Sequence, residues 1–276
     1  VTRYPERWNA FKNFTYNQIK ELMSEYGKVD ILWLDGGWVR PLSTVDTSVE
    51  WQRGIKINQD IDMKRIATMA RSYQPGLLVV DRTVTGEYEN YTTPEQEVPD
   101  RPLPYPWETC MTMGDSWSFV PNDNYKSAHK LIQLLVKVVS RGGNFLLNIG
   151  PGPDGDWDPV AYERLQEIGK WMNVNGEAIY FSKPVAPYSS DNIYYTQSKD
   201  GRAFYAFYLG ETDKIALPAA LTIKGITAGK GKTVSMLGSK TRLKWKAEGD
   251  GMVISIPSAV AAQNKTEHAV VFKIEQ

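Results

Sequence analysis

Three short runs of apolar residues constrain this chain more than any other feature. They are residues 29–34, closing on ILWL, residues 77–80, LLVV, and residues 144–150, NFLLNIG. Strands of this kind, apolar without alternation, are expected where both faces of a sheet are covered, as in parallel sheets flanked by helices. The segments between them fit that reading. Residues 15–26 place Ile19, Leu22, Met23 and Tyr26 at helical spacing, with Gly27 as a stop. Residues 60–73 repeat the pattern with Ile61, Ile66, Met69 and Ala70, and Gln74-Pro75-Gly76 end it. Residues 122–141 put Ala128, Leu131, Ile132, Leu135, Val138 and Val139 on one face. Asp158-Pro159 reads as an N-cap and first turn of a helix running to about Asn175. Strand and helix therefore alternate over the first 180 residues or so.

After Pro184 the texture changes. Short runs follow at 193–198 (IYYTQS), 203–209 (AFYAFYL), 232–237 (KTVSML), 252–256 (MVISI) and 269–275 (AVVFKIE). Glycine-rich turns, including Gly229-Lys230-Gly231, separate them. This predicts an all-β module of sandwich type. The expected division is an α/β domain over 1–184 and a β-sandwich over 185–276. An eight-stranded (β/α) barrel needs about 250 residues, and the α/β region shows only three or four strands. The sheet is either small and open or part of a barrel.

Bulk properties exclude several functions. The 32 basic and 32 acidic residues cancel and form no block, so neither nucleic acid nor an anionic membrane is expected as a partner. No apolar run reaches the length of a membrane span. The single cysteine, Cys110, excludes an intramolecular disulfide. The opening VTRYPERWNAFKNF reads as polar, with no signal peptide, and the absence of an initiator Met suggests a processed or trimmed chain. The 15 tyrosines and 9 tryptophans suit sugar faces as well as ordinary cores.

In open α/β sheets and barrels, functional groups gather at the C-terminal ends of the strands. Asp35, Arg82 and Asn148 fall there. Asp35 follows ILWL directly and precedes Gly36-Gly37, so it either caps the next element or is displayed at the mouth of a site. The loop GEYENYTTPEQEVPD offers Glu87, Glu89, Glu95 and Glu97 as a second carboxylate. Two carboxyl groups flanking one bond are what glycoside hydrolysis needs. Arg82 either pairs with a nearby acid or donates to substrate hydroxyls. PGPDGDWDP (151–159) fails as a calcium loop: the sixth position from Asp154 is not glycine, and Leu165 holds the twelfth. The two histidines, His129 and His268, are far apart in sequence, which argues against a zinc site or a Ser-His-Asp triad. Cys110 reads as a buried bystander.

Six segments in order, ILWLDGGW, VVDR, YTTPEQ, PWETCMTMGDSW, RGGNFLLNIGPGPDG and GKWMNVNGEAIY, resemble the family 29 glycoside hydrolases, the α-L-fucosidases. The resemblance runs from about residue 15 to 184, with the β module in the expected place. It implies a (β/α)8-type barrel followed by a C-terminal β-sandwich, and cleavage of terminal α-L-fucose from glycans or glycoconjugates with retention. The resemblance maps the nucleophile to Asp35 and the acid/base to Glu95, with Glu89 as the alternative. Asn90 stands where such members often have Asp. Arg82 maps to the contact with nucleophile and sugar, Trp117 to the aromatic on the fucose methyl, and Trp33 to the pocket wall. No metal or cofactor is called for. The resemblance also implies that the N-terminal half of the barrel lies outside this sequence, in the same chain or as a separate piece. It implies a secreted or periplasmic location, or a lysosomal one in a eukaryote. A non-catalytic carbohydrate-binding protein on the same scaffold, or a glycosidase for another sugar, are the other readings.

Overall fold

A computed structural model describes residues 1–80, 82, 86–212, 215–226, 231–264 and 268–275. The chain forms two compact units, Val1–Thr93 and Pro94–Gln276. Asp81 of the Asp81-Arg82 pair, the start of the loop after it, and Gly229-Lys230 of the expected glycine turn lie outside the described residues.

The first unit holds α1 (Pro5–Glu25), β1 (Ile31–Leu32), α2 (Met63–Tyr73) and β2 (Leu78–Val79). β1 and β2 pair in parallel, Ile31 with Leu78 and Leu32 with Val79. Ile19, Met23, Leu32, Ile66, Met69 and Val79 share one core, so both helices cover one face of the pair. The opposite face, carrying Ile31 and Leu78, is exposed. The expectation of strands buried on both faces therefore fails here. α1 also begins ten residues before the expected start. Pro5 sits in its first turn, where a missing N–H costs nothing, and Phe11 and Phe14 in the second and third turns are exposed and so blur the helical stripe.

The second unit begins with β3 (Glu108–Thr112), α3 (Ala128–Ser140), β4 (Asn144–Asn148) and α4 (Pro159–Asn175). β3 and β4 pair in parallel over five residues, from Glu108–Asn144 to Thr112–Asn148. β3 escaped sequence reading because Thr109 and Thr112 break its apolar run. Both are buried, and their hydroxyls donate to the Glu97 carbonyl at 2.7 Å and the Gly114 carbonyl at 2.6 Å. α3 starts at Ala128 rather than near residue 122, because the Ser127 hydroxyl caps it by accepting from Lys130 N–H. α4 starts as expected: the Asp158 carboxylate accepts from Val160 N–H at 2.9 Å. Leu146 of β4 is exposed, so this strand too has an open face.

The β module contains β5 (Ser182–Ser190), β6 (Ile193–Ser198), β7 (Ala203–Tyr208), β8 (Ala220–Ile223), β9 (Thr233–Met236), β10 (Arg242–Leu243), β11 (Trp245–Glu248), β12 (Gly251–Ser255) and β13 (Val270–Glu275). One sheet runs β10-β9-β13-β7-β6-β5 and the other β11-β12-β8. They enclose a core of Tyr195, Ala206, Ile223, Met236, Ile254 and Phe272, among others, which makes a sandwich. β5 carries Pro184 and Pro187 and occupies the sheet edge, the place where proline's missing donor is tolerated. The other face of the larger sheet, with Tyr205, Phe207 and Val271, packs on Ile132 of α3 and Trp171 of α4. The Trp171 indole donates to the Ala269 carbonyl at 2.8 Å. No helix among the described residues is long and apolar enough to cross a membrane.

Candidate active site

Asp35 stands three residues beyond β1 and is exposed at the tip of the strand. Its Oδ1 accepts from Gly36 N–H at 2.9 Å and lies 3.4 Å from an Arg82 guanidinium nitrogen. The Arg82 side chain is 17% exposed, against 60% for Asp35. A mostly buried guanidinium thus holds an open carboxylate from one side and leaves the rest of it for a ligand. The Arg82 guanidinium also lies 5.2 Å from the centre of the Trp33 ring, and Trp33 Nε1 is buried without a hydrogen-bond partner among the described residues. Three of the five sequence-expected residues, Trp33, Asp35 and Arg82, therefore form one cluster in the first unit.

The two glycines after Asp35 have different causes. Gly36 has φ +120°, a conformation that side chains resist. Gly37 is crowded instead: a Cβ there would meet the Trp51 ring at 2.7 Å and the Arg82 carbonyl at 3.0 Å. Behind this turn sits Arg40, 3% exposed. It donates to the Gly37 carbonyl, to the Thr44 carbonyl at 3.2 Å and to Gln52 Oε1 at 3.0 Å. Gln52 Oε1 also accepts from Asp46 N–H at 2.8 Å. The segment between β1 and α2 is thus organised around a buried arginine. Sequence reasoning missed Arg40, Trp51 and Gln52. The signal present was Arg40, Trp38 and Trp51 within about fifteen residues after Asp35.

The loop glutamates separate by environment. Glu87 is exposed and pairs with Lys64 at 2.9 Å, which lowers its pKa through a hydrogen bond and the lysine's charge. Glu89 is half-buried beside Tyr88, whose hydroxyl is pushed up to about 12 by burial and by the Glu89 charge. Asn90 serves the fold: its side-chain oxygen accepts from Val79 N–H and from Arg71, each at 2.8 Å, extending the β2 edge.

Glu95 belongs to the second unit. It is exposed and bridges in parallel to Cys110 of β3, whose backbone receives the Gln96 N–H at 2.9 Å. Gln96 has φ +56°, a left-handed backbone on a non-glycine residue, held by its side chain on Thr112 Oγ1 at 3.0 Å. Backbone held in this way is common at functional sites. Trp117 is exposed in the loop after β3, and Phe119 of the same loop lies against Gly150 and Gly152 beyond β4. Cys110 is buried.

The histidines correct the sequence reading. His129 and His268 are adjacent in space, with ring centres 6.1 Å apart. His268 lies 3.9 Å from Glu167, and His129 shares a 2.8 Å hydrogen bond with Gln133. Sequence distance was a poor guide because α3 and the approach to β13 pack together. Among the described residues, no group of three or more His, Cys, Asp or Glu side chains is placed to hold a metal ion.

Comparison with known proteins adds an independent line. Residues 2–177 match the α-L-fucosidase family model, and residues 187–275 match that of the α-L-fucosidase C-terminal domain. An α-L-fucosidase from Branchiostoma floridae is 30% identical over 268 residues, covering 94% of this chain and 56% of that protein. The tissue α-L-fucosidase of Homo sapiens is 30% identical over 274 residues, covering 94% and 54%. The chain thus spans a little over half the length of these curated relatives. Among solved structures, α-L-fucosidase isoenzyme 1 from Paenibacillus thiaminolyticus superimposes with a TM-score of 0.78 at 24% identity, covering 97% of this chain and 62% of that one. An α-fucosidase from Thermotoga maritima gives 0.75 at 25% identity, covering 96% and 56%. The fold class is the one these structures share, part of a (β/α)8-type barrel followed by a β-sandwich.

Proposed function

The chain belongs to the α-L-fucosidase family, and from that premise we propose that the protein is a retaining exo-glycosidase hydrolysing terminal α-L-fucosyl linkages in glycans or glycoconjugates. The observation that carries this reading is the Asp35 carboxylate at the end of β1, fixed by Gly36 N–H and Arg82 and otherwise open.

In this reading Asp35 attacks the anomeric carbon while the bond to the leaving-group oxygen breaks. Glu95 gives its proton to that oxygen. Glu95, now a carboxylate, takes a proton from water, which attacks the same carbon and releases Asp35. Two inversions give net retention. Arg82 orients the nucleophile, with a guanidinium nitrogen 3.4 Å from the Asp35 carboxylate. Trp33 and Trp117 supply apolar walls for the sugar. The family models lie on either side of 184/185, which supports reading 1–184 as barrel and 185–276 as sandwich. Plasma and tissue fucosidases are among the relatives, which supports a secreted, periplasmic or lysosomal setting.

The test is hydrolysis of an aryl α-L-fucoside by the complete protein, with the N-terminal half of the barrel that activity requires, and by its Asp35→Ala variant. Loss of turnover by at least about a thousandfold, with partial rescue by azide, is expected. Unchanged turnover in the variant would sink the assignment. Fucose binding without turnover in the unmodified protein would favour a carbohydrate-binding role.

A further inference from the structure

At the end of β3 side chains take over a backbone ladder. Cys110 N–H donates to the Pro94 carbonyl at 3.3 Å, and Gln96 N–H donates to the Cys110 carbonyl at 2.9 Å. This is the alternation of a parallel pair. One more rung would send Thr112 N–H to the Gln96 carbonyl and Val98 N–H to the Thr112 carbonyl. Gln96 instead takes φ +56° and turns the chain out of the ladder. Two side chains supply the rung. Gln96 Oε1 accepts from Thr112 N–H at 3.4 Å, and Lys126 Nζ donates to the Thr112 carbonyl at 2.7 Å. Thr112 Oγ1 gives its one proton to the Gly114 carbonyl at 2.6 Å, so it accepts from Gln96 Nε2, at 3.0 Å. Both ends of the Gln96 amide are thus fixed on one buried residue, Thr112.

Glu95 is the residue that this clamp carries. It pairs with Cys110 from one side, as Leu146 does from the other. Residues paired across a ladder point to one face, and alternate residues point to the opposite one. Leu147 packs with Leu131 of α3, so Glu95 lies on the face turned away from that helix. A left-handed backbone is costly for a residue with a side chain and persists only where its surroundings hold it. We propose that Gln96 is the positioning residue of the acid/base: its amide, clamped to Thr112, ends the ladder directly after Glu95 and sets the direction of that carboxyl. This inference rests on the reading of Glu95 as the acid/base. The Thr109 hydroxyl holds the Glu97 carbonyl separately, at 2.7 Å, so losing the Gln96 clamp loosens Glu95 without releasing the loop.

The experiment compares kcat/KM of the complete protein on two aryl α-L-fucosides. The phenyl fucoside needs its leaving oxygen protonated, and the dinitrophenyl fucoside does not. Gln96→Ala is expected to lose about tenfold on the phenyl substrate and less than about twofold on the dinitrophenyl one. Gln96→Met keeps the side-chain length without the amide, and Gln96→Gly keeps the left-handed turn without strain. Both are expected to match the alanine variant, and turnover of the dinitrophenyl substrate shows that each is folded. Full phenyl activity in Gln96→Met or Gln96→Gly, or an equal loss on both substrates, would overturn the proposal alone. Glu95→Ala should lose at least about a hundredfold on the phenyl substrate and far less on the other. If Glu95→Ala affects both substrates equally, or neither, the acid/base reading falls and this inference with it.

Discussion

The six-stranded sheet of the second unit and the two-stranded sheet of the first are made from similar residues and finished differently. The larger sheet is covered twice, by the smaller sheet of the sandwich on one face and by α3 and α4 on the other. The smaller pair is covered by helices on one face only and leaves Ile31 and Leu78 exposed. Its loops are held by polar hubs instead. Gln74 receives Val29 N–H and donates to the Met23 and Gly27 carbonyls, Asn90 bonds the β2 edge, and Arg40 organises the turn after Asp35. The difference teaches where each property resides. Apolar burial on two faces gives the sandwich its stability. Directional polar bonds give the Asp35 loop its geometry, at the end of a strand that is otherwise thinly covered.

That contrast can be broken from either side. The largest stability effect is expected for Phe207→Ala, which empties a fully buried site between the large sheet and the helices. A loss of about 3–5 kcal/mol, read by denaturant unfolding of the second unit, is predicted. A loss under about 1 kcal/mol would mean that the helix-facing side is loosely packed. A smaller effect is expected for Gly37→Ala, because the new Cβ must displace Trp51 or strain the backbone near Arg82. The expected cost is about 1–3 kcal/mol, confined to the first unit and visible as altered Trp51 fluorescence. An unaltered emission spectrum would contradict the close approach of that ring. The smallest effect concerns alkali. Burial pushes the Tyr88 and Tyr195 hydroxyls up to about 12, from an ordinary 10.0. The folded protein keeps these protons where the unfolded chain has lost them. Their contribution to stability is therefore fully present below about pH 10 and declines between about pH 10 and 12. Tyr88→Phe should flatten the decline in the first unit and Tyr195→Phe in the second, as followed by tyrosinate absorbance and unfolding midpoint. Equal slopes in all variants would refute the link.

The sequence made legible what depends on local chemistry. α4 was readable because an Asp-Pro pair caps it, and β6, β7 and β13 because each is a short run rich in aromatic or β-branched residues set off by turns. Elements whose residues are explained only by distant partners stayed hidden. The buried Thr109 of β3 finds its acceptor on another segment, at the Glu97 carbonyl, and the prolines of β5 are tolerated because the strand lies at an edge. The His129–His268 pair exists only once α3 and β13 are packed. At the site, Asp35, Arg82 and Trp33 were legible because strand ends advertise themselves. Arg40 and Trp51 were not, since an arginine inside a polar loop looks like any solvated charge until the loop closes over it.

The central claim is that Asp35 takes the sugar. The direct measurement is peptide mass spectrometry after incubating the protein with a 2-fluoro-fucosyl fluoride, which forms the covalent intermediate faster than it is hydrolysed. One fucosyl adduct is predicted, on the peptide containing Asp35, absent in Asp35→Ala. An adduct on another residue, or continued hydrolysis of an aryl fucoside with Asp35 unmodified, would contradict it.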